Sequence, residues 1–123
     1  MSLYQIFVIL SIFPAAMAAQ NVKTLKLCDD SVAIAAISPK GTVLDFPSNP
    51  EKIILGNKNS FSIEYIRNDL AISPSTLSSH SNLFVYLQGR RFTLDLATSQ
   101  GGATLYFVRD CDAQKVVGKK HGR

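Results

Sequence analysis

The chain has 123 residues, 46% of them hydrophobic and 18% charged, and a formal net charge of +4, which suffices for one small domain and excludes two. The positive excess is confined to residues 112–123, where Lys115, Lys119, Lys120 and Arg123 stand against Asp112. The remainder is close to neutral, so no basic nucleic-acid face is expected and the tail reads as a solvated terminus.

Met1 to Ala18 carries no Lys, Arg, Asp or Glu, and its centre, Tyr4 to Phe13, is almost wholly apolar. Pro14 followed by Ala16-Met17-Ala18 gives a helix breaker and an A-x-A cleavage site, so residues 1–18 are expected to be a signal peptide. The alternative is an uncleaved anchor, for which the apolar run falls short of the roughly 20 residues that span a bilayer. A single domain is then expected over residues 19–111, followed by the tail at 112–123, in the periplasm or outside the cell. Cys28 and Cys111 lie near the two ends of that domain. In an exported chain an even cysteine count points to a disulfide. Closing so long a loop would restrict the unfolded chain by roughly 4 to 5 kcal/mol.

Val32, Ile34 and Ile37 begin the apolar pattern, which Ser38-Pro39-Lys40-Gly41 closes with turn chemistry. Thr42 to Phe46 reads as a second strand, interrupted by Pro47-Ser48-Asn49-Pro50. Lys52 to Leu55 is a third, ending at Gly56-Asn57. Phe61, Ile63 and Tyr65 alternate with Ser62, Glu64 and Ile66 in a fourth, and Leu70 to Ile72 is a short fifth. After the serine-rich loop Ser75 to Ser81 comes the clearest pattern. Leu83, Val85 and Leu87 alternate with Phe84 and Tyr86, and beyond Gly89 the residues Phe92, Leu94 and Leu96 alternate with Thr93 and Asp95. This is a β-hairpin with one buried face. A third run, Ala103 to Val108, is expected to continue it as an antiparallel meander. About eight strands with Gly or Pro punctuation describe an all-β domain, a small antiparallel β-sandwich.

Catalytic chemistry is poorly provided for. His121 lies in the tail, and His80 sits among serines, where a Ser-His pair can be imagined but no acid partner stands at a telling position. No catalytic residue and no small-molecule substrate are assigned. Cys28, Cys111, His80 and His121 lack the close spacing of zinc ligands, so no metal and no cofactor are expected. Asp29 and Asp30 beside Cys28, with Asp110 and Asp112 around Cys111, would gather at the disulfide. They suit a hard cation in charge but not in spacing, and otherwise read as solvated strand ends.

Both faces of the hairpin are apolar. With Leu83, Val85, Leu87 and Phe107 turned to the core, Phe84, Tyr86 and Tyr106 are left on the opposite face, rimmed by Arg90 and Arg91. Aromatic residues with arginine are the types enriched at interface hot spots, so these five are the candidate interaction residues. The competing expectation is that Val32 to Ile37 and Lys52 to Leu55 cover this face within the chain, and that the arginines simply keep a hairpin tip soluble.

Gly41-Thr42-Val43-Leu44-Asp45-Phe46-Pro47, then Ile72-Ser73-Pro74, Ser81-Asn82-Leu83-Phe84-Val85 and Gly89-Arg90-Arg91-Phe92-Thr93-Leu94-Asp95-Leu96 together resemble the N-terminal β-sandwich domain of the periplasmic core-complex subunits of type IV secretion and conjugation systems, the VirB-nine and TraK-like family. The resemblance covers residues 40 to 109. It implies a non-catalytic structural subunit whose partners are other envelope secretion or transfer subunits, with self-assembly as a homo-oligomer left open. The family's second β domain has no counterpart in these residues. A second reading, from the residues alone, is a secreted, disulfide-closed binding module or inhibitor that presents the Ser75 to Ser81 loop.

Overall fold

The computed structural model describes residues 21–111; the expected signal peptide and the basic tail lie outside them. The described residues form nine strands and no helix: β1 (Val22–Leu27), β2 (Val32–Ile37), β3 (Thr42–Asp45), β4 (Lys52–Leu55), β5 (Phe61–Ile66), β6 (Asp69–Pro74), β7 (His80–Leu87), β8 (Arg90–Thr98) and β9 (Leu105–Asp110). They make an all-β sandwich of a five-stranded sheet, ordered β1-β9-β3-β6-β5, and a four-stranded sheet, ordered β2-β8-β7-β4.

The hairpin is found as expected. β7 and β8 pair antiparallel from His80↔Ala97 to Leu87↔Arg90. Gln88 and Gly89 between them both have positive φ, 53° and 76°, the turn whose twist matches that of two antiparallel strands. Leu83, Val85, Leu87, Phe92, Leu94 and Leu96 are all buried, and they form the four-stranded sheet's share of the core. Leu25, Leu27, Leu44, Phe61, Leu70, Ile72, Tyr106 and Val108 pack onto them from the other sheet.

Three expectations need correction. The run after the hairpin does not continue it as a meander, because the chain crosses to the other sheet and β9 pairs parallel with both β1 and β3. Gly102 permits that crossing: a Cβ there would come within 2.5 Å of the Ile37 and Ser38 backbone at the end of β2. The sheets are mixed, because β2 also pairs parallel with β8. The ninth strand is β1, whose Val22-Lys23-Thr24-Leu25-Lys26-Leu27 buries only two residues and so carries little apolar signal. Finally, β2 keeps only one residue of the expected apolar pattern, Ile37, in the core. Ala35 and Ile37 face inward, while Val32 and Ile34 are 56% and 72% exposed.

The two ends of the sandwich are closed differently. At one, the Ser38 N–H donates to Thr42 Oγ1 at 2.8 Å and the Thr42 hydroxyl donates to the Ala103 carbonyl at 2.7 Å, which ties the β2–β3 turn to the β8–β9 crossing. At the other, the expected disulfide joins Cys28 to Cys111. A bridge of this kind is kept in oxidising, non-cytoplasmic compartments.

Because Leu94 is buried at the centre of the hairpin, Leu94→Ala is expected to cost about 2 to 4 kcal/mol. Thr93→Ala, on the outer face, is expected to stay within about 0.5 kcal/mol. Urea unfolding of the oxidised protein measures both.

Candidate functional site: the outer face of the four-stranded sheet

Strand alternation separates the two consecutive arginines. Arg90 falls on the inward parity with Phe92 and Leu94 and closes the end of the core, whereas Arg91 points to the outer face. Arg90 Nε and Nη2 donate to Asp29 Oδ1 at 3.0 and 2.8 Å, Nη2 donates to Asp110 Oδ1 at 3.2 Å, and Nη1 pairs with Asp110 Oδ2. The guanidinium also lies 4.8 Å from the centre of the Phe92 ring. Hydrogen bonds donated to Asp110 and then to Asp29 hold the Arg90 pKa above its ordinary value, so this charge is permanent. Of the four acids expected to gather at the disulfide, Asp29 and Asp110 are taken by the chain's own Arg90, and Asp112 lies outside the described residues. Among the described residues no group of three or more His, Cys, Asp or Glu side chains is placed to hold a metal.

Tyr106 also leaves the expected surface. Its strand lies in the five-stranded sheet, its side chain turns inward, and it is 5% exposed. The hydroxyl accepts the Ala36 N–H at 3.0 Å and donates to the Ala36 carbonyl at 2.9 Å. In effect a side chain supplies the neighbour that the outer edge of β2 lacks. Phe107, placed with the core by the sequence pattern, instead lies half-buried on the outside, with the Arg109 guanidinium 5.4 Å from its ring centre.

The remaining candidates stay together. Phe84 and Tyr86 are half-buried on the outer face of β7, and Arg91 is exposed directly across from Tyr86. The strands expected to cover this face flank it instead, and extend it. Register places Lys52, Tyr86 and Arg91 in one row, and Ile54, Phe84, Thr93 and Val32 in the next. Asn82, Asp95 and Ile34 form a third. Four strands at the usual spacing make this band about 14 Å wide. Val32, Ile34 and Ile54 (38% exposed) are the members that sequence reasoning missed. Their signal was available only as apolar residues on both parities of β2 and β4.

His80 does acquire an acid, Asp95, at 2.7 Å from Nε2, with both side chains well exposed. No described serine hydroxyl hydrogen-bonds the ring. The nearby hydroxyls are engaged with each other and with local backbone: Ser79 Oγ accepts the Thr76 N–H at 3.0 Å and Thr76 Oγ1 accepts the Ser78 N–H at 3.2 Å. The arrangement is that of a self-bonded turn beside an exposed histidine–carboxylate hydrogen bond.

Among the described residues a carboxyl shifted upward lies elsewhere, where Asp45 and Asp69 face each other across β3 and β6. Partial burial, then the charge of Asp45 and a hydrogen bond with it, raise the Asp69 pKa above 3.8, against a smaller opposing effect of Arg67. No protein-family model matches the chain, and no curated protein matches it significantly.

An acid whose folded-state pKa is raised binds more protons folded than unfolded just above its ordinary value, so this pair lowers stability as pH rises through that range. Asp45→Asn is accordingly expected to stabilise the protein by about 0.2 to 1 kcal/mol at neutral pH. The gain should fade as the pH falls towards 3.8. Urea titrations at acidic and neutral pH read the difference.

Proposed function

We propose that the protein is a non-catalytic structural subunit of a cell-envelope assembly of the type IV secretion or conjugal-transfer kind, acting in the periplasm through contacts with other subunits. The observation that carries this reading is the outer face of the four-stranded sheet, where Phe84, Tyr86, Ile54, Val32 and Ile34 form a band that no described residue packs over. Antiparallel and mixed sheets commonly keep one face wet, but that face is then polar. Apolar residues on an outer face, interrupted here by Thr93 and Asp95 and rimmed by charge, have the composition of a docking surface. Lys52 and Arg91 on the rim favour a partner whose apolar patch is bordered by carboxylates.

Two further features support the reading. The disulfide fits an oxidising envelope compartment, and the resemblance of residues 40 to 109 to core-complex subunits supplies the kind of assembly. The partner subunits of such an apparatus would meet a rigid sheet rather than a loop, which limits the ordering cost of association.

The test compares neighbouring residues that differ only in parity. Phe84→Asp and Arg91→Glu are each expected to reduce co-purification with the envelope complex about tenfold or more, while thermal melting stays within about 2 °C of the parent. Arg90→Glu, which breaks the corner instead, is expected to lower the melting temperature. Undiminished co-purification of folded Phe84→Asp and Arg91→Glu proteins would remove the outer face as the contact.

A further inference from the structure

The two sides of the sandwich are unequal. On one, β1 and β2 stand at the sheet edges, and the Tyr106 hydroxyl occupies the outer N–H and C=O of Ala36. On the other side the edges are β4 and β5, and among the described residues no strand pairs with their outer sides. Between them runs an open groove of about 470 Å³, lined by Ile53, Ile54, Leu55, Phe61 and Ile63 with Lys52 and Lys58.

Backbone parity makes this groove more than an apolar gap. The Gly56 N–H donates to the Asn82 carbonyl at 3.0 Å, so the alternation of an antiparallel ladder turns the N–H and C=O groups of Ile53 and Leu55 to the open side. On the facing edge, the Ser75 N–H donates to the Ser60 carbonyl at 2.8 Å, and the same alternation turns the backbone groups of Phe61, Ile63 and Tyr65 outward. The residues with unengaged backbone are thus the ones whose side chains point between the sheets. These side chains are incompletely covered: Ile53, Leu55 and Ile63 are half-buried and Tyr65 is 53% exposed. Inner residues of the central strands, such as Leu44, Ile72 and Val85, are buried.

We propose that the β4–β5 edge is an acceptor for one extended segment of a partner protein, whose alternate apolar side chains enter between the sheets while its backbone completes a ladder, and whose terminal carboxylates meet Lys52 and Lys58. Charge decides the occupant. Both ionisable side chains lining the groove are lysines, so an edge-to-edge pairing with a second copy would bring like charges together, the usual device against self-pairing. An acidic-ended strand converts the same lysines into attraction, and strand addition to a free edge is an established mode of peptide recognition. This surface adjoins the outer sheet face, with which it shares Lys52 and Ile54, but its assignment does not rest on which assembly the protein joins.

The test uses the oxidised full chain and three synthetic peptides of eight residues in which valine alternates with threonine. One ends in glutamates, one in lysines, and one is glutamate-ended with N-methylated valines that cannot donate to a ladder. Fluorescence anisotropy is expected to show the glutamate-ended peptide binding about three- to tenfold more tightly than the lysine-ended one. That preference should reverse in Lys52→Glu/Lys58→Glu protein, whose changes lie on the exposed rim. The N-methylated peptide should not bind. Amide exchange at Ile53 and Leu55, or at Ile63 and Tyr65, should slow on binding. Failure of every peptide to bind, equal binding of the N-methylated peptide, or indifference to the lysine reversal would each overturn the proposal.

Discussion

The architecture depends on one corner. Two stacked sheets share no hydrogen-bonded ladder, so something must fix how their ends meet, and here the β1–β2 connection and the end of β9 are tied by the Cys28–Cys111 bridge. Arg90 enters the same place from the start of β8 and is held by Asp29 on one side and Asp110 on the other. One acid belongs to the β1–β2 connection and the other to β9, so a single guanidinium joins three chain segments and both sheets. The arrangement is also consistent electrostatically. A disulfide alone would have drawn two carboxylates together without compensation, and a partly buried arginine would have lacked partners. Each requirement satisfies the other.

That corner sets what the rest of the molecule can present. With β1 and β2 held together, and the β2 edge further engaged by Tyr106, the sheets close on that side. The cost of incomplete closure falls on the opposite side, where β4 has four residues, follows Pro47-Ser48-Asn49-Pro50 and cannot match the six residues of β5. The core runs out there, leaving apolar side chains and backbone groups facing outward together. The outer face of the four-stranded sheet is a different consequence of the same chain economy. Its two edge strands carry apolar residues on both parities, so Ile54 and Val32 end up beside Phe84 and Thr93 without anything above them.

Much of the fold was legible in the sequence where alternation and turn chemistry agreed. The β7–β8 hairpin is the clearest case, because Gly89 supplies the turn and every second residue on both sides is large and apolar. The disulfide was legible from count and compartment. Less could be read where local pattern is silent about pairing. The run Ala103 to Val108 overlaps the strand found at Leu105–Asp110, but nothing in it says which sheet receives it, and parallel pairing leaves no turn signature between partners. Tyr106 shows how parity fails when its frame is wrong: assigned to the hairpin's sheet it faces out, and placed in the other sheet it faces in. In β2 the apolar residues Val32, Ile34 and Ile37 fall on both parities, so pattern alone does not say which face is inside; Ile37, with the small Ala35, is the buried one. The candidate site was therefore half legible. Phe84, Tyr86 and Arg91 share the predicted face, while Arg90 and Tyr106 serve the interior.

The claim that the disulfide and the arginine fork act as one lock is tested most directly by a double-mutant cycle between Cys28→Ser/Cys111→Ser and Arg90→Gln, read by urea unfolding at neutral pH. If the bridge is what holds Asp29 and Asp110 around the guanidinium, removing it should leave Arg90 little to lose. The two changes should then be less than additive, by about 1 kcal/mol or more. Effects that add to within about 0.5 kcal/mol would show the bridge and the ion pairs to be independent, and would contradict this account of the corner.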